Sequence, residues 1–146
     1  MASASIPSAR TERVAIRRLP LAALIAAVVA AVGNLVVFLV SSVLGVSFDI
    51  PLNGPGTPAE PLPAIMVIIA SAVPAFAAAA LLALLGRFTT RPFRIFMIIA
   101  VVFGLLSFGG PASLPVGLST IIALGLMHIV AGVAIVGVLS RWGREQ

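Results

Sequence analysis

No cysteine occurs among the 146 residues of the chain, and that absence removes whole mechanisms. A structural disulfide, a cysteine metal site and a thiol nucleophile all need the sulfur. Four-helix membrane enzymes that pass electrons between disulfides and quinones need cysteine pairs and are excluded with them. Lysine is missing too, so all 9 basic residues are arginine. Together with abundant Ala, Gly and Val, this fits a GC-rich bacterial genome. Charge of either sign is scarce, at 9% of the chain against 61% hydrophobic residues, far from the composition of a soluble domain.

What is present is a set of four apolar stretches, roughly residues 21–44, 64–85, 93–108 and 114–139, each bounded by Arg, Pro or Gly. A helix needs about 20 such residues to cross ~30 Å of hydrocarbon. Three stretches meet this length. The third is short because Arg94 lies in its first turn, where the long stem must carry the guanidinium back to the interface. The pattern predicts an all-α integral membrane four-helix bundle, with spans at about 20–44, 63–86, 92–109 and 114–140. Residues 1–16 form a Ser-, Ala- and Arg-rich arm, 17–141 the transmembrane domain and 142–146 a tail.

The arginines set the expected orientation. Arg10, Arg13, Arg17 and Arg18 precede the first span, Arg87, Arg91 and Arg94 surround the second loop, and Arg141 and Arg144 follow the fourth span. With an even number of spans these all fall on one side, and the other side carries Asp49 and Glu60. Basic residues near span ends stay cytoplasmic, which predicts a bacterial inner-membrane protein with both termini inside. Arg17, Arg18, Arg87, Arg91, Arg94, Arg141 and Arg144 would then lie at the headgroups. The net charge of +5 is thus topological and gives no reason to expect nucleic acid, because the basic residues lack the interleaved aromatics of a base-stacking surface. The first apolar run is too long for a cleaved signal or a twin-arginine leader and reads as a retained span.

Short connections, "RFTT" and "GGPASLP", join spans two to three and three to four, so the spans are expected to pair as two antiparallel hairpins. The outer loop "VSFDIPLNGPGTPAEPLP" is rich in Pro and Gly and is expected to be turn-rich, without helix or strand. Its two acids, Asp49 and Glu60, read as solvated charges. Thr89 or Thr90 is placed to cap span three. In span two, Pro74 removes a helix hydrogen bond and predicts a kink, and the Ala-rich run after it permits close helix approach.

His128, the single histidine, falls near the middle of span four. Asn34 lies just past the middle of span one, so the two share a depth with Pro74. Gly125 and Gly132 flank His128 at helical spacing, which suggests a notched face turned into the bundle or an interface, since a polar side chain exposed to lipid is costly. Three readings stay open. The imidazole shares a hydrogen bond with Asn34, with Ser71 or with a carbonyl near Pro74; or it is an axial ligand to a haem or chlorophyll-type pigment; or it is the site of a small proton-coupled transporter. Enzymatic chemistry is not expected, because no second ionisable group lies at depth and no Gly-x-Ser-Gly motif occurs. Small multidrug exporters are similar in size alone, since they depend on a carboxylate in the first helix where this chain has Asn34.

The junction "LLGRFTTRPFR", the "LLSFGGP" end of span three and the span "ALGLMHIVAGVAIV" carry a resemblance. Over about residues 15–141 the chain resembles a bacterial family of small four-helix integral membrane proteins of unknown function. The resemblance implies the four-span topology and draws attention to His128, without implying a cofactor or partner. From the residues, the expected role is structural or accessory, in a homo-oligomer or a larger membrane complex, with the bilayer as its surroundings and a cofactor not required.

Overall fold

The computed structural model describes residues 12–54 and 56–145. The fold is all-α apart from one short ladder: α1 (Leu19–Val43), β1 (Asp49–Ile50), β2 (Glu60–Pro61), α2 (Ala64–Phe88), α3 (Pro92–Ser107), α4 (Gly109–Ala112) and α5 (Leu118–Trp142). A single 3-10 turn, Ile16–Arg18, leads into α1. Four helical segments are long and apolar enough to cross a membrane, the third by running α3 on into α4 as Pro92–Ala112. That continuation supplies the length that residues 93–108 lack.

Local chemistry explains the helix ends. Pro20 and Pro92 occupy first-turn positions, where a missing N–H costs no hydrogen bond. α1 stops at Gly45, whose φ of 85° lies in the left-handed region that glycine enters without strain. Gly45 N–H donates to Ser42 O and Val46 N–H to Ser41 O, each at 3.0 Å, the paired closure of a Schellman motif. Thr89 acts at the other side of its loop from the expected one: its Oγ1 donates to Leu85 O at the end of α2. The N-terminus of α3 is capped from far away, with Phe93 N–H donating to Glu12 Oε2 at 3.0 Å.

The outer loop is more ordered than its proline content suggests. β1 and β2 pair antiparallel, with Asp49 opposite Pro61 and Ile50 opposite Glu60. Phe48 is buried against Phe38, the ring centroids 4.7 Å apart. Thr120 Oγ1, at the start of α5, donates to Ser47 O at 2.6 Å. Prolines deny the ladder further N–H donors, so it stops after two residues per strand, and the buried phenylalanine holds the loop down.

α1 is the central helix. It packs most heavily on α2 and α5, while α3 touches those two more lightly. The reason is steric. α1 buries Ala22, Ala23, Ala26, Ala27, Ala30 and Ala31, and α2 answers with Ser71, Ala75 and Ala79, all buried. Small residues four apart form flat rows on which backbones approach closely. α5 therefore pairs chiefly with α1, and not with α3 as the hairpin scheme has it. α2 runs on through Pro74, which lies on its exposed side.

Both described ends of the chain meet at one end of the molecule. Val14 bridges Arg144, Ala15 N–H donates to Gly143 O at 2.8 Å, and Glu145 N–H donates to Arg13 O at 3.1 Å. Val14 is buried over Gly86, where an added Cβ would lie 2.7 Å from its Cγ2. The arm expected over residues 1–16 is thus docked from Glu12 onward, and its first eleven positions, Arg10 included, lie outside the described residues. Leu19, Leu82 and Gly143 also converge here, so α2 and α5 both run antiparallel to α1. Arg13, Arg17, Arg18, Arg87, Arg91, Arg94, Arg141 and Arg144 consequently share this end, opposite the loop with Asp49 and Glu60.

Candidate functional site

Two polar features lie midway along the helices, and they face in different directions. The first is internal. Asn34 Nδ2 donates to Ser71 Oγ at 2.9 Å, and Ser71 Oγ donates to Val67 O one turn back at 2.7 Å. A hydroxyl has a single hydrogen. Since Ser71 gives its hydrogen to Val67, it can only accept from Asn34, which fixes the amide's orientation. Asn34 Oδ1 is then buried without a partner, although the residue is only 6% exposed. An interhelical bond of this kind contributes about 0.6 kcal/mol on average in a membrane, and an unsatisfied buried acceptor costs about 1–3 kcal/mol. The pair therefore specifies which faces of α1 and α2 meet more than it stabilises their contact.

The second feature is His128, expected from sequence to face the bundle or an interface; of these two, the bundle interior is not where it points. The imidazole lies on the exposed surface of α5. It bonds neither Asn34 nor Ser71 nor a carbonyl near Pro74; its Nδ1 lies 2.8 Å from Leu124 O on its own helix. A carbonyl only accepts, so in the neutral ring the hydrogen is on Nδ1 and Nε2 carries a lone pair. Depth was the part legible from sequence. A Cβ at Gly33 would stand 2.7 Å from Val130, so Asn34, next to Gly33, and His128, two residues from Val130, are within about one helical turn in level.

The exposure of His128 follows from how α3 is attached. α3 joins the core at one end through Pro92, Phe93 and Phe96 and comes back to α5 through Phe108, whose ring centroid lies 6.2 Å from that of His128. The two glycines beside the ring differ accordingly. A Cβ at Gly125 would meet Phe108 at 3.3 Å, whereas one at Gly132 would meet nothing within 4 Å. The notch is therefore filled on one side and open on the other.

Residues that pattern reading passed over have structural roles here. Gly33 lets α1 and α5 close up, and Glu12 ties the N-terminal arm to α3. Glu12 also lies 4.0 Å from Arg144, whose guanidinium sits 4.3 Å from the centre of the Phe93 ring. Gly33 was visible as a small residue beside a deep Asn. Glu12 is 81 positions from Phe93 and no local signal links them.

Similarity to known proteins adds one result. The chain belongs to DUF6069, a family of unknown function. The DUF6069 model matches residues 14–145, a span that includes Asn34, Ser71, His128 and the junction of Val14 with Arg144. No curated protein matches, and no solved structure matches. Membership thus agrees with the resemblance read over residues 15–141 in pointing to a family of unknown function, and assigns no activity.

Proposed function

We propose that this chain is a non-enzymatic accessory subunit of a bacterial inner-membrane assembly, a four-helix bundle with both termini in the cytoplasm, which meets a different companion subunit through the α5 surface around His128. Its membrane setting is supported by large apolar side chains exposed along every long helix, such as Val36, Val73, Val102 and Ile122, and by the gathering of arginines at one end. Positive residues are retained inside.

The outward Nε2 of His128 carries the proposal. Ten residues separate His128 from the start of α5, about 15 Å of helix, too far for an imidazole to reach the interface. A polar nitrogen facing hydrocarbon at that depth is costly, and a hydrogen-bond donor on another helix removes the cost. Among the described residues, a second copy of this chain has none exposed at that level. Its own His128 Nδ1–H is committed to Leu124, and Asn34 and Ser71 are buried between α1 and α2. The donor therefore belongs to a different polypeptide. The small-transporter reading gains nothing from this geometry, because the imidazole lies outside the packed interior and the interior polar pair has no titratable group.

The test is the composition and mass of the particle purified from its native membrane in mild detergent, compared with His128→Leu. The expected result is a hetero-oligomer from which the variant dissociates. A monomer, or a homomer of unchanged mass in the variant, would overturn the proposal.

A second reading is favoured by the same lone pair. An imidazole oriented through Nδ1–H to a carbonyl presents Nε2 as a metal ligand, and the open space at Gly132 admits a flat macrocycle. One chain would then supply one axial ligand to a haem or chlorophyll-type pigment. A visible absorption band in the native protein that disappears in His128→Ala would establish this reading in place of the first.

A further inference from the structure

The side of α5 turned away from His128 carries an independent feature. Gly137 is nine residues beyond His128, and at about 100° per residue that is half a turn round the helix. A groove of about 840 Å³ lies there, its floor formed by Val133, Ala134, Gly137 and Val138. Arg18 and Arg141 stand at its mouth with Trp142 beside them, at the end where the arginines gather. A Cβ at Gly137 would meet nothing within 4 Å, so the space above the floor is open.

The mouth is positively charged and unneutralised. Arg144 also borders the groove, but its Nε donates to Ser140 O at 3.1 Å and its guanidinium is held over Phe93 and near Glu12. Arg18 and Arg141 form no ion pair among the described residues, and no carboxylate lines the groove. A guanidinium matches two phosphate oxygens at once. Trp142, 49% exposed, is of the kind that sits at headgroup level. Along α5 the apolar floor from Val133 to Val138 thus leads to Arg141 and Trp142 at the end where the arginines gather, so an acyl chain and a charged headgroup each meet a matching part of the groove.

We propose that this groove binds one anionic diacyl phospholipid, its phosphate between Arg18 and Arg141 and one acyl chain laid along Val133, Ala134 and Gly137. The floor from Val133 to Arg141 rises about 12 Å, enough to order the upper half of a chain. Charge complementarity selects an anionic lipid over a zwitterionic one, because nothing in the lining pairs with a headgroup cation.

Trp142 is the single tryptophan of the chain, so its fluorescence reports occupancy. Delipidated full-length protein in detergent is titrated with brominated-chain phosphatidylglycerol, with brominated-chain phosphatidylcholine and with inorganic phosphate as competitor. Quenching by phosphatidylglycerol is expected at about tenfold lower concentration than by phosphatidylcholine. The preference is lost in the double variant Arg18→Gln, Arg141→Gln and kept in Arg91→Gln, which lies outside the groove. Gly137→Leu, which fills the floor without touching charge, weakens both lipids and serves as the test if the double variant does not fold. Equal affinity for the two lipids, an unchanged preference in the double variant, unchanged binding in Gly137→Leu, or displacement by inorganic phosphate alone would each overturn the proposal.

Discussion

α1 buries Ala22, Ala23, Ala26, Ala27, Ala30 and Ala31, whereas α3 buries Pro92, Phe93 and Phe96 at one end and leaves Ile98, Val101, Val102, Phe103, Leu105 and Leu106 exposed. Both helices are strongly apolar, so hydrophobicity does not separate them. In lipid, large apolar side chains gain little by leaving one hydrocarbon surround for another, and what holds helices together is how closely their backbones approach. Methyl side chains bring α1 against two neighbours. Bulky ones hold α3 at a distance, and the side of α5 beneath it, with His128, stays uncovered.

The contrast can be broken most severely on the α1 side. Ala26 has 0% exposure, and Ala26→Leu forces extra methylenes into a seam without space, with an expected loss of about 3 kcal/mol in reversible unfolding in mixed micelles. Phe96→Ala comes next. Phe96 is 1% exposed and is one of the two phenylalanines by which α3 enters the core. The cavity term alone, at about 24 cal/mol per Å³ over roughly 100 Å³, costs about 2 kcal/mol, and exchange of one apolar surround for another in lipid adds little to it. This variant is expected to release α3 from the other helices, read as faster hydrogen exchange confined to Pro92–Ser107. Smallest is Leu106→Ala, at a side chain 72% exposed, with an expected change below about 0.5 kcal/mol in the same unfolding measurement. If Leu106→Ala matched Ala26→Leu, α3 would be as closely held as α1 and the contrast would fail.

The four helices were legible from sequence because the membrane-length criterion depends on composition alone. The division of labour among them was not, since it turns on which apolar residues are small. That signal was present as Ala22, Ala26 and Ala30, and Ala23, Ala27 and Ala31, at intervals of four, but the Ala-rich run noticed in the chain was the one in α2. His128 shows the limit of reading one face of a helix. Its glycine neighbours mark a side that is filled at Gly125 and open at Gly132, and counting gave its level. Whether that side met the core depended on where α3 lies, which no residue of α5 encodes. The Asn34–Ser71 bond joins two positions 37 apart, both singled out for polarity and depth, yet their pairing waited on the alanine rows that bring α1 and α2 into contact.

The junction of Arg13, Val14 and Ala15 with Gly143, Arg144 and Glu145 makes the chain nearly a closed ring, its first described residues hydrogen-bonded to its last. In a protein made from the N-terminus onward, this clasp waits until residues 143–145 have been made and brought back to residues 13–15. It needs both ends on the same side of the bilayer. If the four long helices cross a bilayer, a chain in which any one of them failed to cross would leave Val14 and Arg144 facing different compartments, and a failure of α1 or α2 would also separate Phe93 from Glu12 and Gly86 from Val14. The clasp thereby distinguishes an even number of crossings from an odd one, and is closed to a chain that has missed a single helix.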